Sequence, residues 1–244
     1  MPLAPSIYFY PDEPVSDYGE TNCNTIVING PEKLIIDPGR KSRWPALARR
    51  LAADGFEPGD FHLVFLTHSH PDHLEAAELL ALDYGLPLAL HEAELAFWEK
   101  SRPAAQNLQP APGFFRPLQE GPWSFGGRRF FIYHAPGHSP GSLVLHWPEA
   151  GLLVTGDVYF SGTFGGTGFP GGSESDMFDT LARLEKLSEV SLVLCGHGPA
   201  MAGRPAIEGN YAILEEGNDS EKGRPLAGRL TLTTSLDQYK KTVQ

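Results

Sequence analysis

The heptad Thr67-His68-Ser69-His70-Pro71-Asp72-His73 constrains this chain more than any other stretch. Three imidazoles and one carboxylate fall within six residues, directly after the apolar run 61–66. Polar groups at the end of a buried strand cost free energy unless something binds them. Imidazole together with carboxylate suits zinc, iron or manganese, whereas an all-oxygen set suits calcium or magnesium. His68 and His70 are two residues apart, so in extended backbone they point to one side and can grip one ion. Asp72 and His73 lie where the chain turns into the helix patterned over 74–80, which aims them elsewhere, towards a second ion. The alternative is a surface loop that happens to be rich in histidine; the metal reading is the stronger.

The rest of the chain reads as scaffold for that cluster. Residues 7–10 and 23–28 are strands, and Asn29-Gly30 is a hairpin signal leading into a strand over 33–37. Asp37 stops that strand before Pro38-Gly39. It is either a carboxylate that orients a ligating histidine or ordinary Asp-Pro-Gly turn chemistry. Helical spacing of Trp44, Leu47, Ala48 and Leu51 predicts a helix over 42–54. The strand 61–66, the heptad and a helix ending near Gly85 follow, then a short strand over 87–90 and a helix over 92–100. His91 reads as a helix cap or surface residue in preference to a ligand.

Five prolines between Ser101 and Pro122 exclude regular helix or central strand for much of that segment, which suits a lid or binding loop. Its Phe114 and Phe115, with Trp123 just beyond, either line such a loop or anchor it to the core. Runs 130–134, 142–146 and 152–155 have the spacing of adjacent antiparallel strands. A helix over 176–187 carries Phe178, Leu181, Leu184 and Leu187 on one face, and 191–195 is a last buried strand. Two strand-rich blocks, each followed by helices, imply an α/β (α+β) domain of two packed sheets with helices outside. The domain is expected over residues 1–216, with 217–244 as a polar C-terminal tail holding a candidate edge strand at 231–234.

Bulk properties narrow the function. The 244 residues suffice for a substantial core. The net charge of -11 argues against nucleic acid as a partner, since that needs a basic face. No run is apolar enough to span a bilayer, and the first residues lack the pattern of a signal peptide. Cys23 and Cys195 read more simply as buried free thiols in a reducing cytoplasm than as a disulfide. Cys195, two residues before His197, also keeps a ligand role open. The expected partner is a small-molecule substrate in the cytoplasm, with apolar residues of the proline-rich segment lining either a pocket or a homodimer interface.

Three more polar residues end strands in the manner of the heptad: His138 in Pro136-Gly137-His138-Ser139-Pro140-Gly141-Ser142, Asp157 in Thr155-Gly156-Asp157, and His197 in Cys195-Gly196-His197-Gly198. Each follows a glycine, which permits close approach and a sharp turn. With the heptad they make a set of seven: His68, His70, Asp72, His73, His138, Asp157 and His197.

These motifs, in this order from about Thr21 to Met201, resemble the metallo-β-lactamase superfamily in its glyoxalase II-like hydrolase branch. The resemblance implies a four-layer αββα sandwich of two mixed sheets with the metal site at one edge. It implies two divalent cations, zinc foremost with iron or manganese as alternatives. His68, His70 and His138 would hold one and Asp72, His73 and His197 the other, with Asp157 bridging them. The implied chemistry is hydrolysis of a small thioester, ester or lactone by a metal-activated hydroxide, with Asp72 handling its proton. The bridging Asp157 argues against β-lactam hydrolysis. Where related proteins commonly carry Arg, Thr or Ser, then Asp, this chain has Gly166-Thr167-Gly168. Only some 47 residues follow His197, which leaves little room for a glutathione-gripping helical domain. Tyr159 is either a hydrogen-bond donor to substrate or a structural tyrosine.

Two rivals belong to other classes. A mononuclear iron persulfide dioxygenase would use two His and one Asp on one iron, with His70 as a spectator. A non-catalytic metal-binding module would bind metal without turnover, although a retired site would tolerate losing ligands.

Overall fold

The computed structural model describes residues 3–12, 21–101, 114–188 and 190–202. Two six-stranded sheets face each other. The first runs β1 (Ile7–Tyr10), β2 (Thr25–Ile28), β3 (Lys33–Ile36), β4 (Phe61–Phe65), β5 (Leu88–His91) and β6 (Phe115–Leu118) in chain order. Its first three strands pair antiparallel and the others parallel. The parallel pairs need crossovers. These are α1 (Trp44–Ala53), α2 (Pro71–Tyr84) and α3 (Glu92–Ser101).

In the second sheet β7 (Gly121–Phe125), β8 (Arg128–His134), β9 (Leu143–Trp147) and β10 (Leu152–Gly156) form an antiparallel meander. A small hairpin, β11 (Tyr159–Phe160) with β12 (Thr163–Phe164), and then α4 (Glu174–Leu184) lead to β13 (Leu192–Cys195). That strand pairs parallel to β10 and antiparallel to β14 (Met201–Ala202).

Strand alternation builds the layers. Ile26 and Ile28 of β2 face the second sheet, where Leu152 and Val154 of β10 meet them in one inter-sheet core. Val27, between those two isoleucines, faces the opposite way, into a cluster with Leu47, Leu51, Leu74 and Leu80 of the helices. Leu153 packs similarly under Met177, Leu181 and Leu184 of α4. Helix, sheet, sheet, helix is the expected αββα order. Among the described residues no helix is long and apolar enough to cross a membrane.

The described part of the proline-rich segment holds edge strand and no central strand, as expected: β6 contains Pro117 and β7 contains Pro122. Each is the last strand of its sheet, where a missing N–H on the open side breaks no ladder. Phe114 and Phe115 pack on the helix-facing core and Trp123 in the inter-sheet core, so they anchor the chain. Residues 102–113, and with them the lid reading, lie outside the described residues. One expectation needs correction: α4 ends at Leu184 and buries Met177, Thr180, Leu181 and Leu184. Phe178 is exposed, because a stripe centred on 177, 181 and 184 leaves position 178 about 90° off its axis. The expected boundary at 216 and the tail beyond it also lie outside the described residues.

Candidate metal centre

Strands of both sheets end at one edge, and their following turns carry the polar residues. Asp37 follows β3, Thr67 and His68 follow β4, Asp157 follows β10 and His197 follows β13. Hydrogen bonds across the edge lock the sheets together. Leu143 N donates to Thr67 O at 2.8 Å and Asn24 N to Gly196 O at 2.6 Å, while within the second sheet Gly196 N donates to Gly156 O at 2.8 Å. A side chain would not fit here: a Cβ at Gly156 would lie 2.5 Å from Thr67 Oγ1, and one at Gly196 would strike Asp157 and sit 2.8 Å from His73 Cε1.

The heptad divides as its spacing predicts. His70 sits on extended backbone just ahead of α2, and Pro71 opens the helix so that Asp72 and His73 fall in its first turn. His70 Nδ1 then sits 3.0 Å from His68 Nε2 and 2.8 Å from His138 Nε2. The outer nitrogens settle the tautomers. Thr67 Oγ1 donates to Asp37 Oδ2 at 2.6 Å and so accepts from His68 Nδ1 at 3.1 Å. His138 Nδ1 donates to Gly166 O at 2.7 Å. The inward nitrogens of His68 and His138 are therefore both lone pairs, and one N–H on His70 can serve only one of them. A cation among the three serves all.

On the other side, Asp72, His73 and His197 bring one donor atom each within 4.8 Å of one another. His197 Nε2 lies 3.4 Å from Asp72 Oδ2 and 3.2 Å from Asp157 Oδ2. Asp157 faces both groups, with Oδ1 3.3 Å from His73 Nε2 and Oδ2 3.6 Å from His138 Nε2. His73 Nε2 and Asp157 Oδ1, both buried, face each other at 3.3 Å without hydrogen-bond geometry and have no other partner among the described residues. Buried polar atoms seldom stand so. Converging lone pairs, orphaned atoms and a mixed imidazole–carboxylate donor set all fit divalent transition metals.

Electrostatics separates the two halves. Burial pushes His68 and His138 down and His70 to about 4, with neighbouring imidazoles adding to the effect on His68 and His70. Burial also opposes charge on His197, yet the hydrogen bonds its ring donates to the Asp157 and Asp72 carboxylates outweigh it and lift His197 to about 9. For Asp157 burial is again overcome, here by His73 and His197, and its carboxyl stays well below the usual carboxylate range. The second half is a place that favours positive charge.

Two supporting carboxylates hold the ligands. Asp37, a non-glycine residue at φ 49°, accepts from Thr67 N at 2.8 Å and from His73 Nδ1 at 2.9 Å. It is thus both a turn residue and an orienting partner. The sequence reading missed Glu94, the fully buried carboxylate of α3. Its Oε1 accepts from Ser69 N (2.8 Å) and Ser69 Oγ (2.6 Å), and its Oε2 from Ser139 Oγ (2.8 Å) and Gly141 N (2.8 Å). One side chain ties the loop of His68 and His70 to the loop of His138. The only sequence signal was a pair of serines beside ligands, each needing an acceptor.

The remaining candidates lie elsewhere. His91 Nδ1 caps α3 by accepting from Ala93 N at 3.2 Å, and its ring is buried against His134 at 3.9 Å. Cys195 Sγ donates to His197 O at 2.9 Å, stiffening the turn, and burial pushes its thiol up to about 12. Tyr159 is buried in the core beneath α4, its hydroxyl without a partner among the described residues, which favours the structural reading.

Comparison with known proteins agrees with this geometry. The family model described as Metallo-beta-lactamase superfamily matches residues 18–197. The hydroxyacylglutathione hydrolase GloC of Haemophilus influenzae is 31% identical over 189 residues, covering 73% of this chain and 86% of that protein. A probable metallo-hydrolase of Bacillus subtilis, YqgX, is 29% identical over 180 residues, covering 71% of this chain and 83% of that protein. Among solved structures, TTHA1623 in a di-iron-bound form is similar with a TM-score of 0.65 at 30% identity, covering 82% of this chain and 97% of that one.

Proposed function

The chain belongs to the metallo-beta-lactamase superfamily, a hydrolase of that fold, and from this we propose that it is a dinuclear metal-dependent hydrolase of small thioesters, esters or lactones. The observation that carries the reading is Asp157, whose two oxygens face His73 at 3.3 Å and His138 at 3.6 Å. A carboxylate between two imidazole clusters is what a bridging ligand requires. His68, His70 and His138 would hold one cation, and Asp72, His73 and His197 the other. When bound, such a pair supplies a water acidified to neutral pH and Lewis-acid stabilisation of a developing oxyanion.

The protein's own groups then have defined tasks. Asp37 and Thr67 keep His73 and His68 in the tautomers that turn a lone pair inwards. Asp72 takes the proton of the attacking water and passes it to the leaving group. The new bond joins water oxygen to the acyl carbon, and the bond from that carbon to sulfur or oxygen breaks. The released thiolate or alkoxide ends protonated.

The GloC similarity supports a thioester, because that relative, matched over 86% of its length, lacks room for much beyond the shared domain. A short chain is therefore no argument against such substrates. Against the mononuclear oxygenase stands the position of His70 Nδ1, 3.0 Å and 2.8 Å from its two partners, where a spectator has no reason to be. Zinc, iron and manganese all suit this donor set.

Metal content per chain, on protein purified without chelator, tests the proposal together with a panel of ester, thioester, lactone and persulfide substrates. About two equivalents and turnover of a thioester or ester are expected. One iron per chain with oxygen uptake on a persulfide would overturn it.

A further inference from the structure

Beside the first imidazole cluster lies an aromatic side chain that the folding of the domain does not account for. Phe169 is 53% exposed, the joint most exposed large apolar side chain among the described residues. Its ring nevertheless has a set position, with its centroid 5.3 Å from the His70 ring and 5.5 Å from the His138 ring, both edge-on. The space it occupies is made by glycine: a Cβ at Gly166 would sit 3.2 Å from Phe169 Cε2, so any larger residue there would press on the ring. Gly166 is also fixed, because its carbonyl accepts from His138 Nδ1 at 2.7 Å.

The segment that carries Phe169 is itself without charge. From Val158 to Ser173 the sixteen residues include no Asp, Glu, Lys or Arg. The charges acting most strongly on His70, His138, Asp157 and His197 are those of other imidazoles and carboxylates. Phe160 adds a second aromatic ring, 5.9 Å from His197 on the other side of the centre. Aromatic rings on an uncharged segment reward an apolar substituent on whatever binds at the centre.

We propose that Phe169 is a specificity-determining residue which binds an apolar group carried next to the substrate's reacting carbonyl, so that the site favours thioesters and esters with uncharged aliphatic or aromatic substituents. The inference rests on the hydrolase reading above. The apolar group can belong to the acyl side or the leaving group, and the test separates these.

Two substrate series distinguish them: acetyl, butyryl and hexanoyl thioesters of one small neutral thiol, and acetyl thioesters of methyl, butyl and hexyl thiols. In metal-loaded protein, kcat/KM should rise on the order of tenfold across one series and stay flat in the other. The rise should collapse in Phe169→Ala and persist in Phe169→Leu, with metal content equal in all three proteins. Calorimetry of acetate, butyrate and hexanoate binding, or of the matching alcohols, reads the same face without turnover. A heat-capacity change growing more negative with chain length, and less so in Phe169→Ala, is expected. Flat series, an equal loss for every member in Phe169→Ala, or loss of metal in that variant would overturn the role of Phe169. If nothing is hydrolysed yet chain-length-dependent binding persists, the hydrolase reading fails and the apolar face stands.

Discussion

His73 Nδ1 lies 2.9 Å from Asp37 Oδ2 at the edge where the strands end, and neither side chain is exposed by more than 1%. One carboxylate thereby decides which nitrogen of a candidate ligand faces the centre. The same Asp37 orders Thr67, and through it His68, so a single residue after β3 sets the tautomers on both sides.

Replacing Asp37 should therefore weaken both halves at once. Asp37→Ala is expected to lower metal affinity roughly 10–100-fold, the usual cost of losing a partner of a ligating histidine. Asp37→Asn should lose less, since its amide oxygen can still accept from His73. Competition titration with a chromogenic chelator reads this. Unchanged affinity in both variants would refute the orienting role.

Glu94 should matter to stability before it matters to chemistry. Glu94→Ala leaves four donors on Ser69, Ser139 and Gly141 without their acceptor. The expected loss is about 3–5 kcal/mol in the metal-free protein, measured by urea denaturation. Glu94→Gln keeps the acceptor on one side and should lose less. A Glu94→Ala protein as stable as the wild type would contradict the bonding described.

Acid should destabilise the metal-free protein well above the carboxylate range. His70 is held at about 4 in the folded state, chiefly by burial, against about 6.5 when unfolded. Between those values the unfolded chain binds the proton and the folded one does not, so stability is full above about pH 6.5 and falls towards pH 4. His197 has the opposite sign. Lifted to about 9, it adds stability that is present below about pH 6.5 and lost as pH rises through 9. Denaturation midpoints from pH 4 to 10 should trace both flanks; a profile flat from pH 4 to 7 would rule out the His70 shift.

Metal uptake should release protons at neutral pH. His197 carries one in the metal-free protein and must lose it to ligate. His73 is likewise raised well above the usual imidazole range, so calorimetric titrations in buffers of different ionisation enthalpy should give a net release of about two protons per chain, and about one in His197→Ala. No buffer dependence would mean that His197 is already neutral or is not a ligand.

The histidine substitution that best separates one ion from two is His70→Ala. It should lower occupancy at the first cluster while leaving Asp72, His73 and His197 able to bind, so the metal per chain falls by about one equivalent. An unchanged metal content would make His70 a spectator.

The seven candidate ligands, most of the strands and helices and the layered architecture were legible in the chain itself; β6, β7, the β11–β12 hairpin and β14 were not. Polar residues in strand-end turns stand out against apolar runs such as 61–66 and 152–155, and alternation or helical spacing is a local property. What the tertiary structure decided was set by residues distant along the chain. Glu94 looks like any exposed glutamate of a helix until Ser139 and Gly141, 45 and 47 residues away, close over it. Pro117 and Pro122 are tolerated only because their strands became sheet edges. Asp37 had two readings until His73, 36 residues on, folded against it. Local residue types specify which groups can bind a cation. Which carboxylate bridges, which orients and which ring forms the wall depends on burial, and burial is fixed only when the two sheets pack.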